Sequence, residues 1–236
     1  MKIAIYSPYQ TVAPHFENEL ELMQLHLDQG DEVEYLACLG ELQNCDFNAA
    51  KEPEACRQCI ARRQAGVELL EPRLNLQSLT TENEVNQDSV VPEFKSPDDL
   101  IAWKIDQFDI GYAVLSSLVS LVRDPEPCLK THQGLLAKLI HSAVTTYHAT
   151  LRYLEQHQPD RVYVFNGRFA AMRAVLRACQ QKQVDCWAHE RGCDLWHYEL
   201  FKNHLPHDLV EMNQGYPLCY SLEKLLHGSR DPPNSE

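Results

Sequence analysis

Residues 162–192 read VYVFNGRFAAMRAVLRACQQKQVDCWAHERG, an order of strand, tight polar turn, helix, strand and polar turn. Two clusters, Asn166-Gly167-Arg168 and His189-Glu190-Arg191-Gly192, each follow an apolar strand directly. Ligands of an open parallel sheet bind beyond the carboxyl ends of its strands, so both clusters are expected to face one crevice. They offer a carboxylate, two guanidinium groups, an amide and an imidazole. That set suits a polar ligand, anionic or sugar-like.

Outward from this stretch the same alternation recurs. Residues 2–6 (KIAIY) form a short apolar run, expected as a buried first strand ended by Ser7-Pro8. A helix is expected from Pro14 or His15, with Phe16, Leu20, Met23 and Leu27 on one buried stripe and Gly30 as its left-handed stop. Residues 32–38 are the second strand, which completes a βαβ unit with a right-handed crossover. Residues 38–66 carry four cysteines and read as an irregular insertion. Residues 67–70 are a candidate third strand, and residues 73–95 a polar surface loop. Ser96-Pro97-Asp98-Asp99 opens a helix: serine as cap, proline at the first position, acids against the dipole. This helical region is expected to reach Arg123, with a kink near Gly111. A second long helix covers about residues 132–157, with Leu136, Ile140, Ala143, Tyr147, Leu151 and Leu154 inward. Strand 161–165, helix 169–182 and strand 185–188 follow. The helix buries Phe169, Met172, Leu176 and Cys179. The periodicity weakens beyond Gly192.

The expected fold is therefore α/β, a Rossmann-like parallel sheet flanked by helices. One domain spans residues 1–215, with the Cys-rich insertion at 38–66 and the polar loop at 73–95. Residues 216–236 form a tail, partly disordered.

Bulk properties narrow the function. The chain has 236 residues and a net charge of −13, which argues against nucleic-acid binding, because that needs a basic face. Residues 110–122 are the longest apolar stretch, too short to span a bilayer and expected as a buried helix. The N-terminus reads as a strand and not a secretion signal. A cytoplasmic chain is expected, in which nine cysteines are thiols or metal ligands.

Four constellations carry chemistry. Backbone amides at a strand-to-helix turn attract anions, so Asn166, Gly167 and Arg168 are candidate substrate-binding residues, with Gly167 allowing close backbone approach. The plainer alternative is an ordinary turn with a surface arginine. Glu190 is a candidate catalytic or hydroxyl-binding carboxylate and Arg191 a candidate substrate-binding cation, against the alternative of a structural ion pair. His15, at the start of the first helix, would face the same crevice as a general base. Cys38, Cys45, Cys56 and Cys59 form C-x6-C-x10-C-x2-C and suit structural zinc, with an iron–sulfur cluster the weaker fit and free thiols the plain alternative. The helix histidines His132, His141, His148 and His157 share no ligand-spaced face and are expected in solvent. Cys179, Cys186 and Cys193 read as core or surface thiols.

The pieces HFENELELMQLHLDQGDEVEYLACLG, FDIGYAVLSSLVSLVRDPE, VFNGRFAAMRAVLRA and HERG together resemble bacterial capsular and surface polysaccharide biosynthesis proteins related to GT-B glycosyltransferases. The resemblance covers most of residues 1–210. It implies the N-terminal, acceptor-side half of a GT-B glycosyltransferase with a nucleotide sugar as donor: a fragment, a split product whose partner chain supplies the donor-binding domain, or a degenerate stand-alone protein. His15 would be the base and Glu190 its catalytic companion. Asn166, Arg168 and Arg191 would bind the acceptor or the donor phosphates. A non-catalytic, metal-stabilised scaffold in the same pathway is the alternative. A small nucleotide-binding Rossmann protein ranks last, because SPYQTVAPH replaces a glycine-rich loop after the first strand.

Overall fold

The structure, a computed structural model, describes every residue except 11, 75, 81–83, 85–90, 195, 213–217 and 222–236. Seven strands form one sheet in the order β3-β2-β1-β4-β5-β6-β7. They are β1 (Lys2–Ser7), β2 (Glu32–Ala37), β3 (Leu76–Ser78), β4 (Arg161–Phe165), β5 (Asp185–Arg191), β6 (His197–Lys202) and β7 (Leu218–Ser221). The first five in spatial order run parallel, β6 is antiparallel to β5, and β7 is antiparallel to β6. The central strands KIAIYS and RVYVF are apolar along their length because helices cover both faces. The chain moves one way from β1 to β3 and the other way from β4 onward. The switch point lies between β1 and β4, the place beyond whose carboxyl ends open α/β sheets bind their ligands.

The helices are α1 (His15–Asp28), α2 (Pro53–Val67), α3 (Pro97–Ala102), α4 (Ile110–Val122), α5 (Gln133–His157), α6 (Ala170–Lys182) and the short α7 (Leu209–Met212). One core joins Ile3, Ile5, Tyr35 and Tyr163 to Phe16, Leu22 and Met23 of α1 and Val67 of α2. The other joins Ala4, Tyr6, Val162 and Val164 to α4, α5 and α6. Along α1, Leu20 and Leu27 are only partly buried, while Asn18, Glu19 and His26 are buried. Polar groups on that face are held: His26 bonds Asp31 at 2.7 Å and Tyr163 Oη at 3.0 Å. Gly30 ends the helix with φ +78, as its lack of a Cβ allows.

Six expectations change. The insertion at 38–66 contains a 15-residue helix, α2, whose apolar spacing is too sparse to show a periodic stripe. Residues 67–70 are not a strand but the end of α2 and a turn, and the third strand falls at Leu76–Ser78, inside the stretch read as a polar loop. Residues 97–123 are two helices, not one kinked helix. Gly111 lies where α4 crosses the end of α3: a Cβ there would fall 1.6 Å from the Leu100 carbonyl oxygen. His141 is buried and His157 pairs with Glu34 at 3.1 Å, so neither is a solvent histidine. Beyond Gly192 the chain turns back as β6, whose short alternating run Tyr198, Leu200 hides a strand among histidines. Strand β7 lies in the stretch assigned to the tail, whose remainder falls outside the described residues.

Asp109, the residue before α4, ties that helix to α6. Arg173 donates to it through Nε at 3.0 Å and Nη2 at 2.5 Å, and Arg177 through Nε at 2.8 Å and Nη2 at 3.0 Å. Burial alone would raise the Asp109 carboxyl, but the hydrogen bonds from Arg177 and Arg173 outweigh it and hold the group well below the usual carboxylate range. The stabilisation is present above the unfolded pKa of about 3.9 and is lost as pH falls through the lower folded value. Asp109→Asn is expected to cost about 2–3 kcal/mol near neutral pH, because two arginines lose their counter-charge. Urea melts at pH 7 and pH 3 check this: the gap between variant and wild type should narrow at pH 3.

Among the described residues, no helix is long and apolar enough to cross a membrane.

Candidate functional site

The crevice is built from the ends of β1, β4 and β5 and the start of α1. Asn166 leaves β4 with φ +59 and Gly167 follows with φ +72, a turn that swings the Asn166 side chain back over the sheet end. Asn166 Nδ2 donates to Glu190 Oε2 and lies 3.4 Å from His207 Nε2. Its Oδ1 accepts the Arg168 backbone N–H at 3.0 Å, which locks the amide orientation. The Arg191 backbone N–H donates to the other Glu190 oxygen at 2.9 Å. Asn166 is buried, whereas Glu190 is half-buried and retains lone pairs for a ligand.

His15 packs its ring against Phe165 at 4.0 Å between centroids. Burial lowers its pKa to about 4, against the opposing pull of Glu190, with His189 and Arg191 lowering it further. At neutral pH the ring is therefore uncharged and able to accept a proton. Among the described residues its buried Nδ1 has no partner, and Glu19 Oε2, one helical turn along, is also unpaired. Both residues line a cavity of about 10 Å³ with Ser7, Tyr9 and Phe165.

The structure brings His15, Asn166 and Glu190 together and separates the rest. His189 is fully buried, with Nε2 3.3 Å from Glu19 Oε1, so its imidazole belongs to the seam between α1 and β5 and not to a ligand. Gly167 does not offer bare backbone: Leu205 covers it, 3.0 Å from where a Cβ would stand. The α6 terminus is already engaged, since the Ala170 N–H donates to Ser117 Oγ at 2.9 Å. Arg168 stacks over Phe169 at 4.2 Å and keeps a buried Nε without a partner among the described residues. Arg191 is exposed and forms no side-chain ion pair with Glu190 among the described residues.

Three further residues belong to this region. Asp46, near Arg168, has a carboxyl pushed up to about 6 by burial, opposed by a Ser117 hydrogen bond. Nothing in its spacing marks it, for the loop reaches the site only through the fold: Phe47 packs its ring on Tyr9 and Phe169. His207 comes from the segment after β6, where the sequence has no clear period. Glu19 carries a readable signal, its i, i+4 spacing from His15.

Cys38, Cys45, Cys56 and Cys59 all line one cavity of about 40 Å³ beside Pro8 and Tyr9. The CxxC pair lies on α2 and the other two thiols on the segment before it. Burial raises the Cys45 thiol to about 12 and also raises Cys38. The sulfurs are presently occupied with lighter bonds: Cys59 accepts the Gln10 N–H at 3.3 Å, Cys56 accepts from Asn48 at 3.4 Å and Cys38 from the Gly40 N–H at 3.3 Å. Beside them Arg63, 1% exposed, has carbonyl partners at Gln10, Cys38 and Pro8 and Cys59 Sγ at 3.8 Å, but no carboxylate among the described residues. A buried cation without a counter-charge is costly, and a set of thiolates would supply one. The donor set therefore fits a thiophilic ion. Among the described residues, however, only Cys193, Asp194 and His197 bring three ligand atoms within 4.8 Å of one another. The quartet would have to close further to bind.

Compared with protein-family models, curated proteins and solved structures, the chain matches none.

Proposed function

We propose that this chain is a glycosyltransferase-like domain of bacterial surface-polysaccharide assembly, binding a sugar hydroxyl and the phosphates of a nucleotide sugar at the β1/β4 switch point. The carrying observation is Glu190, hydrogen-bonded to Asn166 beside an uncharged His15. In this reading His15 takes the proton of an acceptor hydroxyl, and Glu190 accepts a hydrogen bond from a hydroxyl of the nucleotide sugar. Arg168 and Arg191 meet the phosphates. Transfer also needs a donor-binding domain besides the one described here. Calorimetric titration with uridine diphosphate, guanosine diphosphate and their sugar conjugates tests it: binding by wild type and loss in Glu190→Ala are expected. No heat with any of these, for wild type, would sink it.

A second reading, a non-catalytic metal-stabilised scaffold of the same pathway, draws support from the four thiols around one cavity beside Arg63. The quartet is proposed to hold structural zinc in either reading. Anaerobic elemental analysis of Cys56→Ser/Cys59→Ser is expected to show one zinc per chain fewer than wild type, with a lower melting temperature. Unchanged metal content would reduce the four cysteines to thiols.

A further inference from the structure

The turn between β5 and β6 reads Gly192-Cys193-Asp194, then Trp196-His197, and lies at the same edge of the sheet as the crevice. We infer that Cys193, Asp194 and His197 form a second metal site, separate from the cysteine quartet, for a zinc-class divalent ion. One ligand atom from each lies within 4.8 Å of the other two. An ion bound by sulfur at about 2.3 Å and by nitrogen and oxygen at about 2.0–2.1 Å in a tetrahedron sets its ligands roughly 3.3–3.6 Å apart. Reaching these separations, with the Asp194–His197 pair opening from 2.7 Å, asks for movements on the order of 1 Å, within reach of side-chain rotation on an exposed turn.

The turn holds these groups before any ion arrives. The Gly192 N–H donates to the His197 carbonyl at 2.8 Å. Asp194 Oδ1 accepts the Trp196 N–H at 2.8 Å and lies 2.7 Å from His197 Nδ1. The strands meet so closely that a Cβ on Gly192 would stand 3.0 Å from the His197 oxygen and 3.1 Å from its Cβ. Cys193 is thereby set next to His197 despite the four-residue separation.

The donor chemistry selects the ion. Magnesium and calcium prefer all-oxygen shells, whereas a thiolate, an imidazole and a carboxylate suit zinc, cobalt or nickel. Three protein ligands on an exposed turn leave the fourth position to water or to a ligand oxygen. Binding releases the Cys193 proton to solvent and replaces the Asp194–His197 hydrogen bond with two metal bonds. Glu190 stands three residues before Cys193 along the chain.

Cobalt(II) serves as the probe, titrated anaerobically into the full chain and into Cys193→Ser and His197→Ala. Cys193 lies on the surface turn and His197 at the first position of β6, and neither belongs to the two cores. Wild type is expected to show a sulfur-to-cobalt band in the near ultraviolet with tetrahedral bands in the visible. Each variant should bind one cobalt per chain fewer, or bind it at least tenfold more weakly, with reduced bands. Stoichiometry and affinity within twofold of wild type in either variant overturn the site, and cobalt held by the quartet alone gives that result.

Discussion

Gly111→Ala is expected to lower the melting temperature by roughly 10 °C. A Cβ at this position would sit 1.6 Å from the Leu100 carbonyl oxygen and 2.7 Å from its carbon. Both are backbone atoms, so no rotamer change relieves the clash. The Gly111 N–H also donates to the Trp103 carbonyl at 3.1 Å, which pins α4 against the end of α3. Accommodation requires α4 to move away from α3, opening the buried cluster around Leu100, Phe108, Ile110 and Val114. Overpacking of a tight core costs about 1–3 kcal/mol, and a rigid backbone neighbour places this case at the upper end or beyond. At roughly 2–4 °C per kcal/mol for a domain of this size, the shift follows. A thermal melt within 2 °C of wild type would show that the helices separate freely. Gly134 is the control: a Cβ there meets nothing within 4 Å, and alanine is expected to be neutral or mildly stabilising.

The sequence announces Gly111 without revealing its role. A glycine within an apolar run is consistent with a kink or with a close crossing, and only the position of the preceding helix separates them. The same limit governs much of the molecule. Strands β1, β2, β4 and β5 were legible because doubly covered parallel strands are apolar runs of fixed length. The helices α5 and α6 were legible from stripes such as Leu136, Ile140, Ala143 and Tyr147, all of which are buried. Helix α2 was not, since it buries only Arg63, Gly66 and Val67 and leaves no apolar period to read. Of the crevice, His15, Asn166 and Glu190 could be anticipated from their places after strands in a parallel sheet. His189 could not be sorted from Glu190 by the same rule. Successive residues of a strand face opposite sides, and His189 turns inward to Glu19. Asp46 and His207 arrive on segments whose own sequence carries no signal, because tertiary folding alone brings them near Asn166 and Arg168.

Glu190→Gln is expected to weaken nucleotide-sugar binding about 10- to 150-fold, the effect of about 1.5–3 kcal/mol for a charged hydrogen bond. The amide keeps the size of the carboxylate and can still accept from Asn166, so the turn after β4 should hold its shape. The negative charge disappears. Glu190 is the leading influence that favours protonated His15 against burial, and its removal is expected to push the His15 pKa below its present value of about 4. That direction distinguishes two roles for the carboxylate. If Glu190 acts by keeping His15 in the required charge state, the variant should recover at some other pH. His15 is already neutral from about pH 5 upward in wild type, and more so in the variant, so no recovery is expected above pH 5. The predicted signature is a uniform loss of affinity across pH 5–8, together with an upfield-limited His15 titration in imidazole ¹⁵N spectra that begins at lower pH than in wild type. Affinity restored at any pH in that range would move Glu190 from ligand contact to control of His15. An unchanged His15 titration would mean that the two groups do not share one crevice in solution.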